Sequence, residues 1–333
     1  MVATLATFIL VACSPVPVPE VEQLPTALSS HELPLGDYAL HYVESGIESG
    51  NSGGTPDRLG AGATQRDSRP LILFVHGTPG SWKAFARYLN DPRLNTQAHL
   101  VSVDRLGFGR SAASGSVPSF AEQSRAIGEL LEQFPIDAPV LLVGHSLGGS
   151  LIYQIAIDYP DRVDGLMSIS APLDPHLSSP RWYNRLALIP GARWVIGQDM
   201  ARANDEMMPL VSELETLTEP VSRLALSVTL VHGAEDDLVK IGNAEYAEAL
   251  LTESDVRFLR YEGDSHFIVW ERHDEMVQAL LALLDSVQQQ KNEAQAREVG
   301  QRPGGRSDRK SVAGGQALTS ARVVPLSTEL PAI

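Results

Sequence analysis

The sequence predicts an α/β fold: a mostly parallel central sheet of about eight strands, helices on both faces and a small helical cap. Three observations point there. Short continuous apolar runs recur along the chain, as in strands buried on both faces. Amphipathic helical stretches alternate with them, which implies parallel strands joined by crossovers. One interval, 171–226, has helical character and no strand signal over about 55 residues, too long for a simple crossover and suited to a cap.

The elements follow in order. Residues 33–44 (LPLGDYALHYVE) read as a hairpin turning at Gly36-Asp37. Residues 45–69 are rich in Gly, Ser and Asp without periodicity, and read as an exposed, flexible insertion. Residues 71–75 (LILFV) form a buried strand that ends at His76-Gly77, and 99–103 form another that ends at Asp104. Residues 119–134 form a helix: Ser119 and Glu122 make a capping box, and Phe120, Ile127, Leu130, Leu131 and Phe134 share one face. Pro135 stops it. A strand at 140–143 leads at once into a helix over 146–159, whose apolar stripe is Leu147, Leu151, Ile152 and Ile155. Strands at 165–169, 228–231 and 256–259 continue the series, and an amphipathic helix over 276–287 closes it.

Composition narrows the function. The chain has 333 residues, 43% of them hydrophobic and 20% charged, an ordinary globular mixture with material for a large core. A net charge of −15 excludes a general nucleic-acid binder and a polybasic membrane-surface protein. A single cysteine, Cys13, rules out an intramolecular disulfide and a cysteine-rich zinc site, and no cofactor or metal is implied. Residues 291–333 are rich in Gln, Gly, Arg and Ser, with seven basic and four acidic side chains. They read as a disordered tail, with a basic contact segment as the alternative.

Residues 1–12 (MVATLATFILVA) are uncharged and mostly apolar, too short to span a bilayer and suited to a signal peptide. Leu10-Val11-Ala12-Cys13 resembles the lipobox of bacterial lipoproteins. That resemblance implies an acylated Cys13 as the mature N-terminus and a location in the bacterial cell envelope, at the periplasmic side of the outer membrane. The proline-rich residues 13–32 would then be the tether. An unprocessed N-terminus and a cytoplasmic location are the alternative.

The chemistry lies at strand ends. Gly144-His145-Ser146-Leu147-Gly148 is a G-x-S-x-G between an apolar strand and an amphipathic helix. A turn that tight strains the serine backbone and leaves no room for side chains two residues either side, where Gly144 and Gly148 stand. It lifts Ser146 to the carboxyl edge of the sheet, at the positive end of the next helix.

From about residue 33 to 287 the chain resembles the α/β-hydrolases. Residues 71–81 (LILFVHGTPGS) resemble the segment with the H-G-x-P oxyanion motif, His76, Gly77 and Pro79 among them. Residues 104–111 (DRLGFGRS) resemble a turn of the members related to epoxide hydrolases and dehalogenases, and read as rigid support for the site. Residues 231–239 (VHGAEDDLV) and 263–267 (GDSHF) resemble the late acid and histidine loops. The hydrolase domain would cover 33–290.

The resemblance implies a Ser146–His266–Asp236 triad, with the backbone amides of Thr78 and Leu147 as the oxyanion hole. Asp174, after the preceding strand, is the alternative acid. Trp182, Trp194, Met207 and Phe267 are candidates for a substrate pocket, although cap aromatics and methionines also serve as a cap's own core. The implied activity is hydrolysis of carboxylic esters through an acyl-enzyme, with a small-molecule ester as partner. Lactone, thioester or C–C bond cleavage on the same triad is the alternative, as is a non-catalytic lipid-anchored binding module. Epoxide-hydrolase and dehalogenase chemistry is disfavoured, because those relatives use an aspartate nucleophile where this chain has Ser146.

Overall fold

A computed structural model describes residues 28–45, 69–189 and 191–301. Eight strands run through them: β1 (Leu28–Leu35), β2 (Tyr38–Ser45), β3 (Leu71–Val75), β4 (His99–Val103), β5 (Val140–His145), β6 (Gly165–Ile169), β7 (Ser227–Gly233) and β8 (Asp255–Tyr261). They form one sheet in the order β1-β2-β4-β3-β5-β6-β7-β8. The β1–β2 and β2–β4 pairs are antiparallel, and the pairs from β4 through β8 are parallel.

Strand periodicity explains why the central runs are wholly apolar. Successive side chains point to opposite faces. In β3, Leu71, Leu73 and Val75 enter one core, and Ile72 and Phe74 enter the other. In β5, Val140 and Leu142 face the first core, and Leu141 and Val143 the second. The first core is closed by α1 (Phe120–Leu131) and α2 (Leu147–Asp158). Ser119 caps α1 by accepting a bond from the Glu122 amide. At the open edge, β8 exposes Asp255, Arg257 and Arg260, charges that discourage further strand pairing.

After β6 the cap consists of α3 (Trp182–Leu186), α4 (Ala192–Ile196), α5 (Gln198–Met207) and α6 (Leu210–Val221). The expected absence of strands between 171 and 226 holds for its described residues. α6 packs Leu210, Leu214 and Leu217 into the first core. α7 (Gly242–Leu250) joins β7 to β8, and α8 (His273–Gln301) covers the second core with Met276, Val277, Leu280, Leu284 and Val287.

Three differences from the sequence reading have physical causes. β1 begins at Leu28, inside the expected tether, because residues 28–32 pair with 41–45 of β2. α7 was not anticipated, since its buried side is made of Asn243, Ala244 and Ala247 and offers no large apolar stripe. The last helix continues to Gln301, which corrects the expectation of an unstructured tail from 291. Lys291 bonds Asp164, and Arg297 lies 3.7 Å from Glu293 one turn earlier. Such polar helix formers need no apolar face to read as helix. The compact unit ends at Asn292. The expected signal peptide, Cys13, most of the 45–69 insertion and residues 302–333 lie outside the described residues.

Leu142 is fully buried at the centre of the sheet. Leu142→Ala is expected to lower the unfolding free energy by about 2–5 kcal/mol in urea titration. Ile136→Ala, at a side chain 64% exposed, is expected to stay within about 0.5 kcal/mol of the parent.

Candidate active site

β5 runs into α2 with Ser146 between them, at φ 54° and ψ −128°. A positive φ is costly for a residue with a side chain, about 1–3 kcal/mol. The surroundings hold it there. The Ser146 amide donates to the Ile169 carbonyl at 2.9 Å, and the Gly149 amide to the Ser146 carbonyl at 2.8 Å. A Cβ on Gly144 would overlap the Gly148 carbonyl, and one on Gly148 would overlap the carbonyls of Val75 and His76. The elbow therefore packs backbone to backbone against the end of β3.

The loop after β3 continues this contact. A Cβ on Gly77 would come within 2.9 Å of the Ser146 Cβ. His76 is buried; its Nδ1–H donates to the Gly77 carbonyl at 2.7 Å, and its Nε2 accepts from the Arg105 amide at 3.0 Å. Burial and the Arg105 charge hold its pKa well below the ordinary histidine value. Both nitrogens are committed, so this ring is structural. Thr78 and the cis Thr78–Pro79 peptide follow directly. Leu147, the first residue of α2, is where helical N–H groups lack an intrahelical acceptor. The two expected oxyanion donors thus lie in the loop packed on Ser146 and at the first residue of the helix that Ser146 heads.

Asp104 and Arg105 clamp this loop. Arg105 Nε and Nη2 donate to the carbonyls of His76 and Gly77, each at 2.9 Å. The same guanidinium makes a buried bidentate pair with Glu206 of α5, at 2.6 and 3.1 Å. The Asp104 carboxylate accepts from the Trp82 amide at 2.7 Å, the Arg110 amide at 2.8 Å and His41 Nδ1 at 2.8 Å. The supporting turn expected at 104–111 is therefore present, and Glu206 extends its hold to the cap.

His266 comes from the loop after β8 and Asp236 from the loop after β7. His266 Nδ1 donates to Asp236 Oδ2 at 2.7 Å, with both side chains buried. Asp236 Oδ1 accepts from the amides of Leu238 and Val239 at 2.9 and 2.7 Å. Burial raises the Asp236 pKa. Bonding to His232 and His266, the His266 charge and the Val239 amide outweigh it, and the net shift is downward. His232 Nε2 donates to the Val239 carbonyl at 2.8 Å and lies 3.4 Å from Asp236.

His145 joins this pair to the elbow. Its Nε2–H donates to the His266 carbonyl at 3.0 Å, and the two rings are 4.9 Å apart. Burial, then the neighbouring His266 charge, pushes its pKa down to about 3, so it remains a neutral donor. The structure thus packs Gly77 on Ser146 and brings His266, with its partner Asp236, onto His145, the residue before Ser146. In the sequence His145 and Arg105 belong to their turns and give no sign of these bonds, since a bond to a distant carbonyl leaves no spacing signal.

Asp174, the alternative acid, is not on His266; its carboxylate accepts from the His176 amide at 2.8 Å. Of the pocket candidates, Trp182 and Trp194 stand out at the surface, 66% and 94% exposed. Met207 packs against the first core, as a cap's own anchor does. Phe267 does adjoin the site, with its ring 5.7 Å from that of His266. A small internal cavity lined by Tyr153, Ser168, Leu230 and His232 lies under α7 and touches neither Ser146 nor His266.

The family model of the alpha/beta hydrolase fold matches residues 70–207, which hold the loop after β3, the clamp and the elbow. The chain has the α/β-hydrolase fold. It is 34% identical over 142 residues to a (lyso)-N-acylphosphatidylethanolamine lipase of Bos taurus, covering 38% of this chain and 39% of that protein. It is 26% identical over 145 residues to epoxide hydrolase 1 of Caenorhabditis elegans, covering 43% of this chain and 30% of that one. The chain therefore spans about a third of the length of these curated relatives. The monoacylglycerol lipase structure from Paleococcus ferrophilus superposes with a TM-score of 0.54 at 19% identity, covering 66% of this chain and 96% of that one.

Two outcomes follow from these contacts. Glu206→Ala leaves a buried guanidinium without its partner, and is expected to lower stability by about 3–5 kcal/mol in chemical denaturation. Because the Asp236 pKa is lowered by folding, that carboxylate adds stability above its ordinary value of 3.8, and the contribution is lost as pH falls further. The stability gap between the parent and Asp236→Asn is therefore expected to shrink as unfolding is measured from pH 6 down toward pH 2. A constant gap would contradict the charged, hydrogen-bonded carboxylate.

Proposed function

We propose that this protein is a serine hydrolase that cleaves carboxylic esters through an acyl-enzyme. The observation that carries the reading is the buried His266–Asp236 bond, joined through His145 to the strained Ser146 elbow. With Nδ1–H held by the carboxylate, Nε2 is the basic nitrogen of His266. In the first step Ser146 Oγ attacks the ester carbonyl carbon and His266 takes its proton. The carbonyl oxygen becomes an oxyanion that receives the amides of Thr78 and Leu147. The C–O bond to the alcohol breaks, and His266 returns the proton to the leaving oxygen. Water then attacks the acyl-Ser146 ester, again giving its proton to His266, and the carboxylic acid leaves with Ser146 restored. Asp236 stays ionised and stabilises the imidazolium in both steps.

The lipase named among the relatives supports an ester of lipid character as the substrate class. A lipid anchor on Cys13 is a separate proposal that rests on residues 10–13 alone. Ser146→Ala is expected to lower turnover of p-nitrophenyl esters by about 10⁵-fold, on the precedent of other serine triads. A fluorophosphonate probe is expected to label the parent at Ser146 and to spare the variant. Near-parent hydrolysis by Ser146→Ala, or a parent inert to the probe, would sink the reading.

A further inference from the structure

Eight large apolar side chains are exposed among the described residues, and six of them fall between Leu177 and Val195. Trp194 is 94% exposed, Val195 82%, Trp182 66%, and Leu188 and Ile189 about half. Soluble surfaces carry such residues singly; a concentration of them marks a contact. A seventh, Leu238, adjoins the same face, because Arg181 Nη2 donates to the carbonyls of Asp237 and Leu238.

The charge pattern says what kind of contact. Between Asp174 and Asp199 the sequence has three arginines (Arg181, Arg185, Arg193) and no acid, in a chain whose net charge is −15. Tryptophans and aliphatics beside arginines match the boundary between acyl chains and anionic headgroups, and at the edge beside Leu238 the Asp237 carboxylate is paired with Lys240.

We propose that the α3–α4 face of the cap docks on an anionic lipid bilayer, with Trp194 and Val195 entering the acyl boundary and Arg185 meeting the headgroups. The face is tied to the candidate site at two points. Arg181 holds the two residues that follow Asp236, and Asn184 donates to Asn204 of α5 at 3.0 Å, two residues before Glu206. Docking would bring the rim of the site to the bilayer surface. The inference concerns location and is independent of the hydrolytic reading.

The test uses the full chain carrying Cys13→Ser, so that no acyl anchor can form. Its binding to vesicles of phosphatidylethanolamine and phosphatidylglycerol at about 3:1 is measured by co-sedimentation. Trp194→Ser with Val195→Ser is expected to weaken partitioning by about tenfold or more. Arg185→Gln is expected to weaken it about fivefold, and not at all on phosphatidylcholine alone. Brominated acyl chains are expected to quench tryptophan emission in the parent and to quench less in Trp194→Phe, a conservative change on an exposed site. Equal partitioning of parent and double variant, or quenching unaltered by Trp194→Phe, would overturn the proposal. So would a lipid-free dimer that light scattering finds in the parent and not in the double variant, which would make the face an interface between copies.

Discussion

The constraint on which the rest depends is the backbone at Ser146. A serine held at φ 54° between a buried strand and a helix can exist only where its neighbours over-determine it. Three facing backbones do so here: the end of β3, the end of β6 and the loop at Gly77. Gly148 permits the approach to the end of β3, Gly77 that of the loop, and Gly144 the fold of the strand against the start of its own helix, because a single Cβ would separate each pair. The cost of the strain is met by the two apolar cores on either face of β5, which fix the strand before the turn begins. The elbow at the edge of the sheet is thus a consequence of a strand buried along its whole length.

A second layer of order comes from two adjacent charged residues, Asp104 and Arg105. Arg105 holds the beginning of the loop after β3, through the carbonyls of His76 and Gly77; Asp104 holds its far side, through the amide of Trp82. Backbone carbonyls bound to a guanidinium resist rotation, so the amide that follows at Thr78 is fixed in direction. Glu206 neutralises that guanidinium from the cap. Burying such a pair is weak evidence for stability and better evidence for registration. Here it registers α5 against the loop beside Ser146, which makes the cap part of the site's scaffold.

The sequence makes some of this legible and hides the rest for identifiable reasons. Strands β3, β5 and β6 are readable because burial on both faces demands unbroken apolar runs, and the elbow is readable because its glycines are sterically required. His266 and Asp236 are readable only by resemblance to known loops, since their 2.7 Å bond spans 30 residues. The Arg105–Glu206 pair spans 101 residues and leaves no local mark at either end. The exposure of Trp182 and Trp194 is not legible either, because aromatic character predicts burial somewhere and cannot specify whether protein or another surface supplies it.

A hydrogen-bonded Ser–His–Asp row is not by itself a catalytic site, and this chain contains a useful contrast. Ser30 Oγ lies 2.8 Å from His41 Nε2, and His41 Nδ1 lies 2.8 Å from Asp104. The distances would satisfy a triad. Yet Ser30 sits within β1, paired opposite Val43, so its backbone groups serve the sheet and present no helix terminus to an oxyanion. Its Oγ also accepts from Arg110 at 2.9 Å, which occupies a lone pair that an attacking oxygen would need. Ser146 differs in the backbone: it heads a helix, stands at a strained turn and faces a loop whose carbonyls are already bound elsewhere. What separates the two serines in the structure is the backbone that carries each of them, a paired strand for Ser30 and a strained strand-to-helix turn for Ser146.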